Sequence, residues 1–362
     1  MTVKVGIIGC GGIANGKHLP ALSQISEVEL IAFCDIEIER AVKAKEQYGM
    51  PEANVYMDYK EMITDTSIDI IHVCTPNSSH AEISIASLEA NKHVMCEKPM
   101  AKTSQEARAM IDAAKKSGKK LTIGYQNRFR TDSRYLHEVC QDGALGDIYV
   151  GKAHAIRRRA VPTWGVFLDE EAQGGGPLID IGTHALDLTL WMMNNYRPKY
   201  VVGNTYHHLS KTENVANAWG AWDPEKFTVE DSAFGFVVME NGATIFLEAS
   251  WALNSLDVKE AKTTLMGTKG GADMNDGLTI NGEDHGLLYE KQIELETGGV
   301  DFYEGEGNDP AVLEARSFIQ AVLNDTEPVI KPEEALVVTE ILEAIYESAR
   351  TGEPVMMKGV SA

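Results

Sequence analysis

The feature that most constrains this chain is a glycine-rich turn between an apolar strand and a helix. The run Val3–Gly9 leads into Gly9-Cys10-Gly11-Gly12-Ile13-Ala14, which matches G-x-G-x-x-G/A in a strand–turn–helix setting. Gly9 permits the tight turn, Gly11 lets a backbone approach a pyrophosphate, and Ala14 is small enough for close helix–strand packing. The helix starting at Gly12 and Ile13 directs free N–H groups at phosphate oxygens. A glycine-rich turn that binds nothing is the plain alternative. Against it, the second strand ends at Asp35, about where a ribose-binding acid belongs. A 2′-phosphate there would meet the like charge of Asp35 and Glu37. This favours NAD over NADP, with Arg40 the nearest residue that could serve the phosphate.

The first 125 residues keep one rhythm. Val- and Ile-rich runs at 3–9, 29–35, 68–75, 93–96 and 121–125 alternate with helical stretches at 12–24, 37–48, 59–63, 79–90 and 104–117. This predicts an α/β Rossmann domain, a parallel sheet doubly wound by helices. After Tyr125 the pattern changes to longer alternating strands at 148–159, 200–208, 232–239, 244–251, 259–266 and 287–294. Asn241-Gly242 is a hairpin signal between two of them. Residues 126–362 are therefore expected to form an α+β domain with a large, mostly antiparallel sheet, closed by helices at 310–323 and 333–350. Glycine- and acid-rich loops are expected at 211–228 and 296–309.

Composition narrows the partners. Lys plus Arg number 33 and Asp plus Glu 54, a formal net charge of −21, which repels phosphate backbones and anionic lipid. Neither nucleic acid nor a membrane is expected as a partner. No apolar run is long enough to cross a bilayer, and the first residues read as a strand rather than a leader. The five cysteines fit reduced thiols in a cytoplasmic protein, and none has metal-ligand spacing.

Two further loops follow strands of the first domain and should lie at the ligand-binding edge of its sheet. One is Thr75-Pro76-Asn77 with His80; the other is Glu97-Lys98-Pro99. A lysine in a partly desolvated cleft can exchange protons near neutrality, which is the chemistry open to Lys98; a surface lysine at a turn is the alternative. In the second domain, Gly174-Gly175-Gly176-Pro177 opens a helix on which Asp180 and His184, four apart, share a face continued by Asp187. Such a pair reads equally as a proton relay or as a capping acid beside a core histidine. No second histidine stands at metal-ligand spacing, so no metal is expected. Trp164 either covers a ligand or packs in its loop.

Together these residues resemble the Gfo/Idh/MocA family, named for glucose–fructose oxidoreductase and inositol dehydrogenase. The carriers are Gly9–Ala14, Thr75-Pro76-Asn77 with His80, Glu97-Lys98-Pro99, and the glycines leading to Asp180, His184 and Asp187. The resemblance implies an N-terminal NAD(P) domain, with cofactor contacts at Gly9, Gly11, Gly12, Ile13, Asp35, Thr75, Pro76, Asn77, His80, Glu97, Lys98 and Gln126. It implies a second domain whose open sheet serves substrate binding and oligomer contacts, and a cis peptide before Pro99. Lys98, Asp180 and His184 would surround the reacting hydroxyl of a sugar or polyol, with Tyr125, Arg128 and Trp164 as further substrate contacts. A dehydrogenase, forming a homodimer or homotetramer, is thus expected. An NAD-dependent glycoside hydrolase working by transient oxidation and a non-enzymatic dinucleotide sensor are the competing readings.

Overall fold

A computed structural model describes residues 2–295 and 309–357 and divides the chain into two units. The first comprises Met1–Phe129 with Glu306–Leu336. Its strands are β1 (Val3–Ile8), β2 (Val28–Cys34), β3 (Asn54–Tyr56), β4 (Ile70–Val73), β5 (His93–Cys96) and β6 (Leu121–Ile123). They form one sheet in the order β3-β2-β1-β4-β5-β6, with every pair parallel. All four residues of β4 are buried, because helices cover both faces of such a sheet and its strands become near-continuous apolar runs. Strand order reverses between β1 and β4. The turn leaving β1 and the loop leaving β4 therefore flank the switch point where doubly wound sheets bind ligands.

Local signals place the helices. Helix Ser104–Ser117 starts with a reciprocal capping box between Thr103 and Glu106. It ends at Gly118, φ 66°, with Lys115 and Lys116 in its last turn. Helix Pro310–Leu323 begins at Asp309, whose carboxylate accepts from Ala311 N at 2.8 Å. Its Val312, Ala315, Phe318 and Ile319 recur at helical spacing. They pack into the same core as Val5, Leu19 and Leu22 of the first hundred residues. The sequence pattern alone places residues 126–362 together in the second domain, whereas Glu306–Leu336 belong to the first unit. An amphipathic helix shows which face it buries but not which sheet it buries that face against.

The second unit comprises Arg130–Gly305 with Val337–Ala362. Its strands are β7 (Ile148–Ile156), β8 (Pro198–Tyr206), β9 (Ser232–Met239), β10 (Thr244–Ser250), β11 (Lys259–Gly267), β12 (Gly270–Asp273), β13 (Leu278–Asp284), β14 (Leu287–Ile293) and β15 (Val355–Met356). The sheet order is β14-β13-β12-β11-β7-β10-β9-β8-β15, antiparallel except for the β7–β10 pair. The Asn241-Gly242 hairpin forms as expected, with Gly242 at φ 88°. Three strand glycines let helices approach one face closely. A Cβ at Gly151 would lie 2.8 Å from Thr189, and Cβ atoms at Gly203 and Gly235 would lie 2.7 and 2.5 Å from Ile345. The opposite face carries the cross-strand row Val202, Phe236 and Phe246, with the two phenyl rings 5.1 Å apart. Phe246 is 47 % exposed. Of the two expected surface loops, 211–228 is irregular as read, whereas 296–308 lies outside the described residues.

Candidate active site

The turn after β1 has the shape a phosphate cradle needs. Gly9 sits at φ 89°, and a Cβ there would lie 2.7 Å from the Cys74 carbonyl, so tight turn and close approach to β4 both exclude a side chain. A Cβ at Gly11 or Gly12 would meet nothing within 4 Å. Protein packing therefore does not explain the absence of side chains there, whereas a ligand approaching the backbone does. Ala14 is fully buried. The helix opens with a π-helical turn, Ala14–His18, before Leu19–Leu22. Asp35 is oriented by the turn it faces: Oδ2 accepts from Cys10 N at 2.8 Å and Oδ1 from Glu37 N at 2.9 Å. The residues present fit a dinucleotide.

The loops after β4 and β5 are tied to each other by His80. Its Nδ1 lies 2.8 Å from the Pro99 carbonyl oxygen and its Nε2 2.9 Å from that of Thr75, so the neutral ring donates to one of these two main-chain acceptors. Burial lowers its pKa against the pull of those two carbonyls. Thr75, Asn77 and Lys98 are half-buried and Pro76 is exposed. The Lys98–Pro99 peptide is cis, as the resemblance implied.

Glu97 is the centre of a buried ionic cluster. Its Oε1 lies 2.7 Å from both Lys17 Nζ and His18 Nε2, and its Oε2 accepts from Lys98 N at 3.1 Å. Lys17 also meets Glu314 at 2.8 Å. Burial acts against the Glu97 charge, but the Lys17 ammonium and the His18 hydrogen bond outweigh it and hold the carboxyl well below the usual range. Burial lowers the pKa of His18, and a neutral ring that donates from Nε2 to Glu97 must accept at Nδ1. His72 Nδ1, 3.0 Å away, is then the donor. Glu97, only 5 % exposed, thus orients the Lys98 backbone. Tyr125 and Arg128 are also enclosed, Arg128 pairing with Glu334 at 2.7 Å, while Gln126 is half-buried.

In the second unit, residues 174–177 lead into a π-helical turn, Leu178–Gly182, continuous with helix Thr183–Met193. The sequence pattern suggested an ordinary helix, since one wide turn leaves no mark on a 3.6-residue period. Asp180 and His184 are half-buried. Asp180 Oδ2 accepts from Trp251 Nε1 at 3.1 Å. Asp187 is 1 % exposed and lies in the packed part of the helix. The approach to this helix is clamped by Glu230, which sequence reading missed. Its carboxylate accepts from Gly176 N at 2.8 Å, Leu178 N at 3.1 Å and Tyr346 Oη at 2.9 Å. A Cβ at Gly176 would lie 2.3 Å from the Glu230 carbonyl oxygen, and one at Gly175 would lie 2.0 Å from Tyr346 Oη. Burial pushes the Glu230 carboxyl up to about 7 against the three donors that favour its anion. The adjacent acids Glu230-Asp231 before an apolar strand were the available signal.

Burial also pushes the Cys10, Cys34 and Cys140 thiols up to about 12, so they stay protonated and unreactive near neutrality.

Comparison with known proteins agrees with this geometry. Residues 3–125 match the oxidoreductase family model with an NAD-binding Rossmann fold, and residues 133–273 match the GFO/IDH/MocA C-terminal domain. The chain is 35 % identical to D-glucoside 3-dehydrogenase of Escherichia coli, over 97 % of this chain and 96 % of that protein. It is 32 % identical to an inositol 2-dehydrogenase of Salmonella typhimurium over 54 % of this chain and 55 % of that one. The solved structure of an aldose–aldose oxidoreductase from Caulobacter crescentus, complexed with glycerol, superposes with a TM-score of 0.80 at 26 % identity, covering 99 % of this chain and 100 % of that chain. The protein is an NAD-binding oxidoreductase. It belongs to the Gfo/Idh/MocA family.

Proposed function

We propose that the protein oxidises a CH–OH group of a sugar or polyol with NAD⁺. The observation that carries this reading is the full-length likeness to D-glucoside 3-dehydrogenase, which spans both the dinucleotide turn and the Asp180–His184 helix. The Gly9–Ala14 turn and the Thr75–Asn77 loop hold the dinucleotide phosphates, and Asp35 holds the adenosine ribose. Bound NAD⁺ supplies the hydride acceptor. The hydroxyl proton passes to the acid–base groups Lys98, Asp180 and His184 as the C–H hydride leaves, so one alcohol gives one carbonyl, one NADH and one proton. His80 and Glu97 keep the loops carrying Thr75 and Lys98 in place. Tyr125, Arg128 and Trp164 serve the substrate, with the Arg128 guanidinium held by Glu334.

We assign the protein to the cytoplasm, in keeping with its free cysteines, of which four are buried. We assign it a homodimer or homotetramer, in keeping with the apolar row on the second unit's sheet. Nucleic acid and membrane surfaces remain outside its expected partners on charge. Among the described residues no helix is long and apolar enough to cross a membrane.

The test is product stoichiometry. Protein, NAD⁺ and each of glucose, methyl glucoside and myo-inositol are incubated separately. One NADH per oxidised substrate is expected with at least one of them. Release of methanol from the glucoside without net NADH would replace the dehydrogenase by the hydrolase reading. NAD binding without turnover of any of the three would favour the sensor.

A further inference from the structure

We propose that Trp164 and Trp219 form an aromatic subsite for the second ring of a glycoside, so that the substrate is a sugar linked to a ring-bearing aglycone or to another sugar. This rests on the sugar-oxidising reading and narrows its substrate class.

The two indoles are 51 % and 43 % exposed, yet they touch, with ring centroids 5.0 Å apart at 75°. Large exposed aromatics that contact each other while leaving their remaining faces to solvent form a stacking surface for a ring. The loops bearing them are fixed before any ligand arrives. Asn217 binds both main-chain groups of Val161, accepting from its N at 2.8 Å and donating to its O at 3.0 Å, and also donates to the Gly220 O at 2.7 Å. Thr163 Oγ1 donates to the Trp219 carbonyl at 2.7 Å, and Ala218 N donates to the Arg159 carbonyl at 3.0 Å. Arg157 lies 5.3 Å from the Trp219 ring and is itself held by two hydrogen bonds to Glu260, 2.6 and 2.5 Å. Little ordering is left for binding to impose.

The platform is also connected to the reacting centre. Trp164 meets Phe167 at 5.9 Å, Phe167 meets Trp251 at 6.3 Å, and Trp251 donates to Asp180. Burial weakens the charge on Arg157. The hydrogen bonds and field of Glu260, with a further contribution from Asp180, outweigh it and raise the Arg157 pKa, which places Asp180 within the field of the residue that backs Trp219. A continuous aromatic wall thus runs from the proposed acid–base helix to the exposed pair. A monosaccharide held at Asp180 would leave the far end of this wall bare, whereas a glycoside would cover it.

The test compares methyl and phenyl β-glucoside by calorimetry on the NADH-bound protein, alongside kcat/KM with NAD⁺. Wild type should bind the phenyl glucoside roughly 5–20-fold more tightly than the methyl glucoside. Trp164→Ala with Trp219→Ala should bring that ratio close to one. Trp219→Phe, which keeps a ring, should retain most of it and covers the case in which the double variant does not fold. A wild-type ratio near one, equal losses for both ligands in the variants, or no binding of either glucoside would overturn the subsite. Because binding is measured with the reduced cofactor, failure of turnover alone counts against the dehydrogenase reading and leaves the subsite to be judged on the affinity ratio.

Discussion

At the scale of single residues, the strongest commitments concern charge. Lys98 follows a glutamate held by Lys17, His18 and the Lys98 backbone N–H, and it is the first of the proposed acid–base groups to test. Lys98→Met keeps bulk and removes the proton carrier. Turnover should fall roughly 10²–10⁴-fold while NAD affinity, measured by calorimetry, stays within about twofold. Near wild-type kcat would remove Lys98 from the reaction. Asp35 makes a second test, because its carboxylate is already aligned by two backbone donors. Asp35→Asn should weaken NAD roughly tenfold and narrow the preference over NADP, as expected for loss of charge-assisted hydrogen bonds. An unchanged NAD/NADP affinity ratio would show that discrimination lies elsewhere. The glycine turn, Asp35, Lys98 and the Asp180–His184 spacing were all legible in the sequence because each is a short local pattern. Glu230, Trp219 and Glu314 were not seen in their structural roles. Each acts through partners tens to hundreds of residues away, and no local period records such a pairing.

At the scale of elements, the clamp on the active-site helix carries a pH signature. Glu230 is buried and its carboxyl is raised to about 7 from the ordinary 4.5, so the folded state binds its proton more tightly than the unfolded chain does. Its contribution to stability is therefore fully present below about 4.5 and is lost as pH rises through about 7, by about 3 kcal/mol. Glu230→Gln should flatten that arm of the stability–pH curve, read by urea unfolding at several pH values. An identical slope in both proteins would mean that Glu230 does not titrate in this range. Elements differ in how clearly the sequence announces them. The Val- and Ile-rich parallel strands and the capped helix at 104–117 were legible because pattern, cap and terminator agree. Strand β3, only three residues long, is too short to show alternation. Strands β12 and β13 contain Gly270-Gly271 and Asn281-Gly282, which read locally as turns. They are strands because the edge of an existing sheet supplies their hydrogen-bond partners.

At the scale of the molecule, the second unit's sheet is covered by helices on its glycine-lined face and carries Val202, Phe236 and Phe246 on the other. The oligomer proposed above would bury this row. Light scattering at micromolar concentration should show a dimer or tetramer, and Phe246→Glu should shift it towards monomer. A wild-type monomer would contradict the assignment. The return of helix Pro310–Leu323 to the first unit bears on how the protein is made. Lys17 is buried between Glu97 and Glu314, and its second carboxylate is translated roughly 200 residues after the first. At about 5–20 residues per second, the nascent nucleotide-binding half waits on the order of 10–40 s for the acid that completes its ion cluster and the apolar helix that closes its core. Until then the Lys17 ammonium has only the first of its two carboxylate partners. Folding of the nucleotide-binding unit is therefore completed only after Arg130–Gly305 of the other unit have been synthesised.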